Sequence, residues 1–516
     1  MDKPPAAPTK SLLAMSLLFA TACFKEAMNR FAHGPALLLL ILFLPASVTT
    51  ELRVQNPLRP GLAVGPADAD QMIRPAGSHV APSSVSLTCS PASCVLPNVD
   101  ASAGPKPVDE TPVAVNPKNP QDLLAVANDS NCAAALGIYS SIDGGNTWER
   151  SCMASTGSGA ASVDPNVGYD LQGNVYVGGI ASKAIVVQAS KDNGKTWSPS
   201  YKVVGTLLGY FADKPWLQID TSPKSPYANS LYVSVTQLSS AGHSFSEISL
   251  SHSSDGGQNW KTTLVDTGET FPNIDEMTDM AIGADGTVYL TWLRCAMNGP
   301  SGTCAGTPAT FELSKSTDGG NTWSAPQAIF TANLAPAVKG NFCGYGCLPN
   351  TTEDVDNIPV IAIDNSEGPH KGDLYVAYYS WTGTYMRVFV ASSTDGGASW
   401  TQVPVAPASE THDQFFPWVN VSKSGIVGIS WLDRRDDPSN VKYEAFASFS
   451  RNGGKSFGKN INLSAGLSDP ANDGYGGRFM GDYTGNTWAG NKTFYVTYTD
   501  TTTGVGQDFL GGYRFK

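Results

Sequence analysis

From residue 110 onward the apolar positions come as pairs of short runs: a buried run, a turn, and then a run that alternates with polar residues. Thr111 to Asn116 is followed by Leu123 to Ala127, Asn166 to Tyr169 by Asn174 to Gly178, and Pro215 to Asp220 by Ser230 to Val235. The pattern goes on with Met280 to Ile282 and Val288 to Trp292, then Ile358 to Asp364 and Leu374 to Tyr379. It ends with Phe416 to Val421 and Ile426 to Trp431, then Tyr483 to Trp488 and Phe494 to Tyr498. Runs of this length and period read as β-strands, an inner one buried on both faces and a second with one face more polar.

Between these pairs a turn recurs with the pattern Ser-x-Asp-x-Gly-x-Thr-Trp. It carries Asp143, Asp192, Asp255, Asp318 and Asp395, with a sixth, altered copy at Asn452 ending in Phe457. The steps from one to the next are 49, 63, 63, 77 and 57 residues, a spacing that suits one four-stranded blade per step with loops of variable length. Each residue type has a local task. The carboxylate accepts backbone N–H groups of its own turn, Gly supplies positive φ, the hydroxyls tie neighbouring backbone, and the Trp buries a large apolar area. Six near-copies at equivalent places read as architecture, since an active site is seldom multiplied.

Strand pairs and turns together predict an all-β protein, a β-propeller with four-stranded antiparallel blades. Seven inner pairs favour seven blades; six blades with an irregular end is the alternative. The last unit, Phe509 to Phe515, stops one strand short, and the stretch Val85 to Leu96 is expected to close the ring by adding that strand.

Composition sharpens the picture at three points. With 41% hydrophobic and 15% charged residues, 52 Gly and 35 Pro, the 516 residues suit a large turn-rich β domain over 109–516. A net charge of −12 argues against nucleic acid as a partner, because a phosphate backbone calls for a basic surface. The N-terminus carries two apolar runs, Ser11 to Ala22 and Pro35 to Val48. Residues 1–48 thus read as a signal peptide with translation starting at Met28, or as an anchor giving the only membrane contact; Cys23 offers a weaker lipoprotein reading. Both imply export to the periplasm, the cell surface or the medium. Residues 49–108, rich in Pro, Ala and Ser, read as a linker or arm. The remaining eight cysteines fall into neighbours, Cys89 with Cys94, Cys132 with Cys152, Cys295 with Cys304 and Cys343 with Cys347, which suits local disulfides better than zinc.

Topology also sorts the loops. The Asp turns join third to fourth strands and lie on one face; the opposite mouth receives the segments before each inner strand and the ends of the second strands. Those segments are acidic: Asp109-Glu110, Asp164, Asp213, Asp275-Glu276, Asp279, Glu353-Asp354, Asp356, Glu410, Asp413 and Asp482, with His412 among them. The same mouth collects Arg294, Trp381, Asp433, Arg434, Arg435 and Arg478. Carboxylates and guanidinium groups on one rim can protonate a leaving group, stabilise a cationic transition state or clamp an anionic sugar. They can equally serve as backbone hydrogen-bond partners and loop-shaping ion pairs. No cofactor is implied; a Ca²⁺ ion would suit a ring of acids, but no EF-hand-like motif supports one.

The turn pattern resembles the bacterial neuraminidase repeat, and residues 110 to 516 resemble secreted bacterial proteins of the sialidase superfamily through Trp431 to Pro438 (Trp-Leu-Asp-Arg-Arg-Asp-Asp-Pro) and Gly481 to Gly485 (Gly-Asp-Tyr-Thr-Gly). The resemblance implies a six-bladed glycosidase in which three Arg bind the substrate carboxylate, a Glu-activated Tyr attacks the anomeric carbon and an Asp is acid/base. Here those roles would fall to Asp213 as acid, Tyr483 as nucleophile, Glu410 as its base and three of Arg294, Arg434, Arg435 and Arg478 as the clamp, with Trp381 and Asp433 also binding substrate. The Phe/Tyr-Arg-Ile-Pro segment that brings the first Arg in that family is missing; Ile73-Arg74-Pro75 has the order reversed and lies in the arm, so Arg74 takes no role. Two readings follow: an exported, monomeric, sialidase-like glycosidase acting on glycans with an acidic terminal sugar, or a non-catalytic propeller that binds a glycan or an exported protein at the same mouth.

Overall fold

The computed structural model describes residues 89 and 92–516, apart from 155–156, 183, 206–209, 240–244, 300–301 and 339–342. The two N-terminal apolar runs, Arg74 and most of the arm lie outside them.

Seven antiparallel sheets follow one another along the chain, and the inner strands of successive sheets pack on each other around an axis. Blade one is built on Val108–Asp109 and Val113–Val115, blade two starts at Val163–Tyr169, blade three at Tyr210–Ile219 and blade four at Asn273–Ile282. Blades five, six and seven start at Val360–Ile363, Gln414–Val421 and Gly485–Ala489. The protein is therefore a seven-bladed β-propeller, and the six-bladed alternative does not hold. The inner strands are apolar along most of their length because both of their faces are covered, as the continuous buried run of Leu123–Asp129 in the next strand out also shows.

Ring closure comes from the segment ahead of blade one. Cys94–Asp100 pairs antiparallel with the C-terminal strand Gln507–Arg514, so the last blade holds three strands from the end of the chain and one from its beginning. The sequence reading had looked for this strand at Val85 to Leu96; it begins at Cys94 and runs on to Asp100. Its alternation decides which side chains count. Leu96 is buried beside Tyr495 and Leu510, while Val95 faces outward.

The Ser-x-Asp turns sit between third and fourth strands. In blade one, the Ser141 hydroxyl accepts from the Gly145 N–H (2.9 Å) and donates to Asp143 (2.9 Å), which in turn accepts from the Thr147 N–H (2.9 Å) and hydroxyl (2.7 Å). Gly144 and Gly145 take φ of 72° and 85°, which a side chain would strain. The same bonds recur at Asp192 and Asp318, with Ser399 in the Thr role at Asp395 and Asn259 at Asp255; at Asn452 the amide oxygen accepts from the Ser456 N–H while the amide nitrogen donates to the Ser456 hydroxyl. The turns also link blades: the Asn193 amide donates to the Ser141 carbonyl (3.0 Å) and the Tyr495 hydroxyl to the Gly144 carbonyl (2.7 Å). All four cysteine pairs expected from their spacing are bonded, which fits an oxidising compartment. Among the described residues no helix is long and apolar enough to cross a membrane.

The closing strand yields a paired prediction. Leu96→Ala should lower the unfolding free energy by about 2–4 kcal/mol, whereas Val95→Ala should change it by less than about 0.5 kcal/mol. Urea titrations of the two variants check this; equal effects would mean that the strand presents no buried face.

Candidate functional site

The inner strands share a feature that no periodicity reveals. Near the start of five of them one non-glycine residue takes positive φ: Glu110 (53°), Asp164 (55°), Lys214 (47°), Met277 (64°) and Phe416 (46°). In blades two, three, four and six the pairing register slips by one at this place, the signature of a β-bulge. Pro165, Pro215 and Pro417 follow three of these residues, and a proline has no N–H to leave unpaired in the bulge. A bulge bends the strand and re-aims its side chains, and here the residues around it line the mouth of the axis.

The registers also fix the two faces. In blade three Asp213 lies opposite Thr236 and then Ile248, while Ile219 lies opposite Leu231 and then Ser253, which opens the Asp255 turn. Six residues of strand, roughly 20 Å, separate Asp213 from that turn, so the two belong to opposite faces.

A small cavity of about 10 Å³, room for about one water, opens at the mouth, lined by five carboxyl groups and one ammonium. Blade three supplies Asp213 and Lys214, blade four Glu276, the crossover into blade five Tyr345, Asp354 and Asp356, and the approach to blade seven Asp482. The buried Lys214 ammonium pairs with Asp482 and lies 3.3 Å from Asp356, tying blade three to the approaches of blades five and seven. Its backbone N–H donates to Asp164 (3.1 Å) and Asp213 (3.0 Å), and the Asp213 and Glu276 carboxyls are hydrogen-bonded to each other. Burial, with the Asp213 charge added, pushes Glu276 well above the usual carboxylate range against the pull of Lys214. Burial and the Asp356 charge do the same to Asp354. Both carboxyls thus favour the protonated form more than an ordinary carboxylic acid does. Among the described residues no three His, Cys, Asp or Glu groups are arranged to hold a metal ion.

Of the residues singled out from sequence, Asp213, Glu276, Asp354, Asp356 and Asp482 line this cavity. Tyr483 directly follows Asp482; its ring packs against Trp216 (5.5 Å) and Trp418 (6.1 Å), and its hydroxyl donates to the Pro165 carbonyl (2.8 Å). Glu410 sits on the crossover into blade six, in contact with His412 (2.7 Å) and Arg435 (3.8 Å). Burial would raise it, but the His412 bonds and the Arg435 charge outweigh burial and hold it below its ordinary value. Arg294 bridges blades three and four inside a ring of Asp266 (2.7 Å), Asp275 (2.7 Å), Glu269 (3.3 Å) and Glu312 (3.3 Å). Arg434 is fully buried, bonded to the Pro349 and Asn440 carbonyls (2.6 and 3.0 Å) and 3.3 Å from Asp413. Arg435 forks onto Asp433, reaches Asn460 (3.0 Å) and lies over the Phe446 ring (4.4 Å). Asp433 also accepts from the Trp431 indole (2.7 Å). Trp381 is half-buried at the end of the second strand of blade five. Arg478 is exposed, and its carbonyl accepts from the N–H of Asp354 (3.1 Å).

The sequence reading missed Lys214 and Tyr345. Lys214 was in view within Phe-Ala-Asp-Lys-Pro-Trp, where a cation beside an acid and before a proline was the available signal. Tyr345 lies between Cys343 and Cys347, and the disulfide that pins this short loop also sets its ring at the mouth.

No protein-family model matches the chain, and no curated protein matches it. Solved structures resemble it only distantly. The α-L-arabinofuranosidase Arb93A of Fusarium graminearum is 13% identical over 68% of this chain and 92% of its own, with a TM-score of 0.41. A Hadza microbial sialidase, Hz136, is 14% identical over 76% and 73%, with a TM-score of 0.41. A Dyadobacter fermentans protein of unknown function is 15% identical over 83% and 100%, with a TM-score of 0.44. At such scores the likeness assigns neither an activity nor a substrate.

Asp279, just past the bulge of blade four, is buried and accepts from the Ile361 N–H of blade five (2.7 Å); burial lifts it to about 8 from an ordinary value of 3.8. A raised carboxyl stabilises the fold fully below its unfolded value, and that contribution is lost as pH rises from about 4 through about 8. Asp279→Asn keeps an acceptor for Ile361 and removes the titration. The variant should gain on the wild type by on the order of 1–3 kcal/mol between pH 5 and pH 8 in denaturant titrations. A constant difference between the two pH values would show that Asp279 does not titrate in this range.

Proposed function

We propose that the protein is an exported glycoside hydrolase acting at the axial mouth. The observation that carries this is the Glu276 carboxyl, pushed up by burial, hydrogen-bonded to Asp213 and lining the same cavity as Asp356 and Asp482, which face Lys214. Glycoside hydrolysis needs such a pair of unlike carboxyls. Glu276 gives its proton to the glycosidic oxygen as the bond from that oxygen to the anomeric carbon breaks. A water adds to the anomeric carbon and passes a proton to Asp482 or Asp356, and that proton returns to Glu276 through solvent. Lys214 opposes the positive charge on the sugar ring less than a free cation would, because Asp356 and Asp482 already share it. Four disulfides support an exported protein.

A second reading, hydrolysis of a terminal acidic sugar, is favoured by Arg478. It is exposed beside the Asp354 backbone, whereas Arg294, Arg434 and Arg435 are each committed to neighbouring carboxylates. Tyr483 would have to release the Pro165 carbonyl to act as nucleophile in that scheme.

Turnover of a panel of neutral, amino and acidic aryl glycosides by the purified protein, between pH 4 and 8, tests both. The hydrolase reading expects activity that declines as pH rises through the Glu276 titration and a loss of about 10²–10⁴-fold in kcat in Glu276→Gln. Sialoside turnover lost in Arg478→Ala would select the second reading. Absence of turnover across the panel, with saturable binding on a glycan array, would replace both with a glycan-binding propeller.

A further inference from the structure

We infer that Glu353 and Asp473 form a latch, held shut by a proton, that seats the loop carrying Arg478 against the crossover into blade five and lets it go as pH rises. The inference holds whether or not the mouth hydrolyses glycosides. Three contacts join the two segments side by side. The Thr352 hydroxyl donates to the Gly477 carbonyl, the Asp354 N–H donates to the Arg478 carbonyl (3.1 Å), and between them the Glu353 carboxyl meets that of Asp473. Glu353 is fully buried, and neither of its oxygens finds a donor in an N–H or hydroxyl group of the described residues. Two carboxyls hydrogen-bond only through a proton. Both Asp473 oxygens already accept backbone N–H groups, one from Tyr475 (2.7 Å) and Gly477 (2.8 Å), the other from Arg478 (2.8 Å) and Phe479 (2.9 Å), so the proton sits on Glu353. Four groups face this carboxyl: Asp473 from the loop, Asp354 on its own segment, and Arg434 and Tyr443 from blade six. Burial, Asp473 and Asp354 push Glu353 well above its ordinary value, and Arg434 opposes them without prevailing.

The two sides of the latch differ in what holds them. The crossover is fixed by the Cys343–Cys347 disulfide, by a bridge between Cys347 and Asp354, and by the Leu348 N–H on the Glu353 carbonyl (3.0 Å). The loop has Gly474, Gly476 and Gly477 at φ of 92°, 81° and 74°, and Asp473 gathers four of its N–H groups. Ionising Glu353 removes the shared proton and leaves two buried acceptors face to face, so the loop is the side that moves away. A raised carboxyl favours the closed arrangement fully below its ordinary value of 4.5, and that contribution is lost as pH climbs through the raised one. Arg478, exposed on the loop, leaves its place with it.

Amide exchange of the purified protein, corrected at each pH for the intrinsic rate, measures the latch in the wild type. Between pH 5 and pH 9 the protection of the segment 474–480 should fall at least tenfold while that of the blade-seven strand Thr493–Asp500 stays level. Protection of 474–480 that stays level overturns the latch, and so does a parallel loss in both segments, which marks unfolding of the blade. Glu353→Gln keeps a donor for Asp473 and removes the titration, so at pH 8 trypsin should cut the variant after Arg478 at least tenfold more slowly than the wild type. Equal or faster cleavage of the folded variant overturns the latch; if the variant does not fold, the exchange of the wild type decides.

Discussion

One residue held in the left-handed region near the mouth end of the inner strands is the constraint on which the site depends. An L-residue there costs on the order of 1–3 kcal/mol, and the chain accepts it in five blades, with five different side chains, none of them glycine. What the strain provides is direction. A regular inner strand alternates strictly, so half of its side chains enter one blade interface and half the other, and few point along the axis. The extra residue of the bulge breaks that alternation where the strands reach the mouth, and Asp213, Lys214 and Glu276 meet there from neighbouring blades.

Strength and chemistry are kept apart on this scaffold. The Ser-x-Asp turns lie at the other end of the strands, hold their own backbone and reach into adjacent blades; hydrogen bonds from Thr322 hold Asp318 down at about 2, so such a staple stays ionised at any ordinary pH. The shared last blade removes the open edges that a seven-sector ring would otherwise present at its ends. With stability distributed over turns, closure and apolar inner strands, the mouth can tolerate buried like charges that would be destabilising in a smaller fold.

The fold was legible in the sequence because repetition multiplies a weak signal. A single Ser-x-Asp-x-Gly turn says little, whereas its regular return, ending in Trp in five copies and Phe in the sixth, together with seven inner pairs, selects the architecture and the blade number. The opposite placement of Asp213 and the turns was legible too, since strand direction alone determines it. The partnerships at the mouth were not. Arg294 and Arg435 look from sequence like cations available to a ligand, yet Asp275 and Asp433 come from the same blades and claim them at 2.7–2.9 Å. Lys214 was hidden for the converse reason: its partners, Asp356 and Asp482, lie far along the chain and come together only when the ring closes. Local motifs report neighbours in sequence, and an axial site is made of residues that are neighbours only across sectors.

The acids of the mouth divide into two kinds, and the division separates scaffold from site. Asp164 accepts the Lys214 N–H and Asp279 the Ile361 N–H, each belonging to the inner strand of the following blade. Asp413 likewise accepts the Met386 N–H across the interface between blades six and five. These carboxylates answer the need of a bulged or starting strand for an acceptor, and any propeller with this kink would need something like them. Asp356 and Asp482 face an ammonium, and Glu276 has an oxygen with no partner among the described residues. A scaffold role would be better met there by uncharged groups, because burying like charges around one lysine raises the energy of the folded state. The chain gathers them at the axial mouth, on strained backbone, and that gathering is the ground on which the proposed site rests.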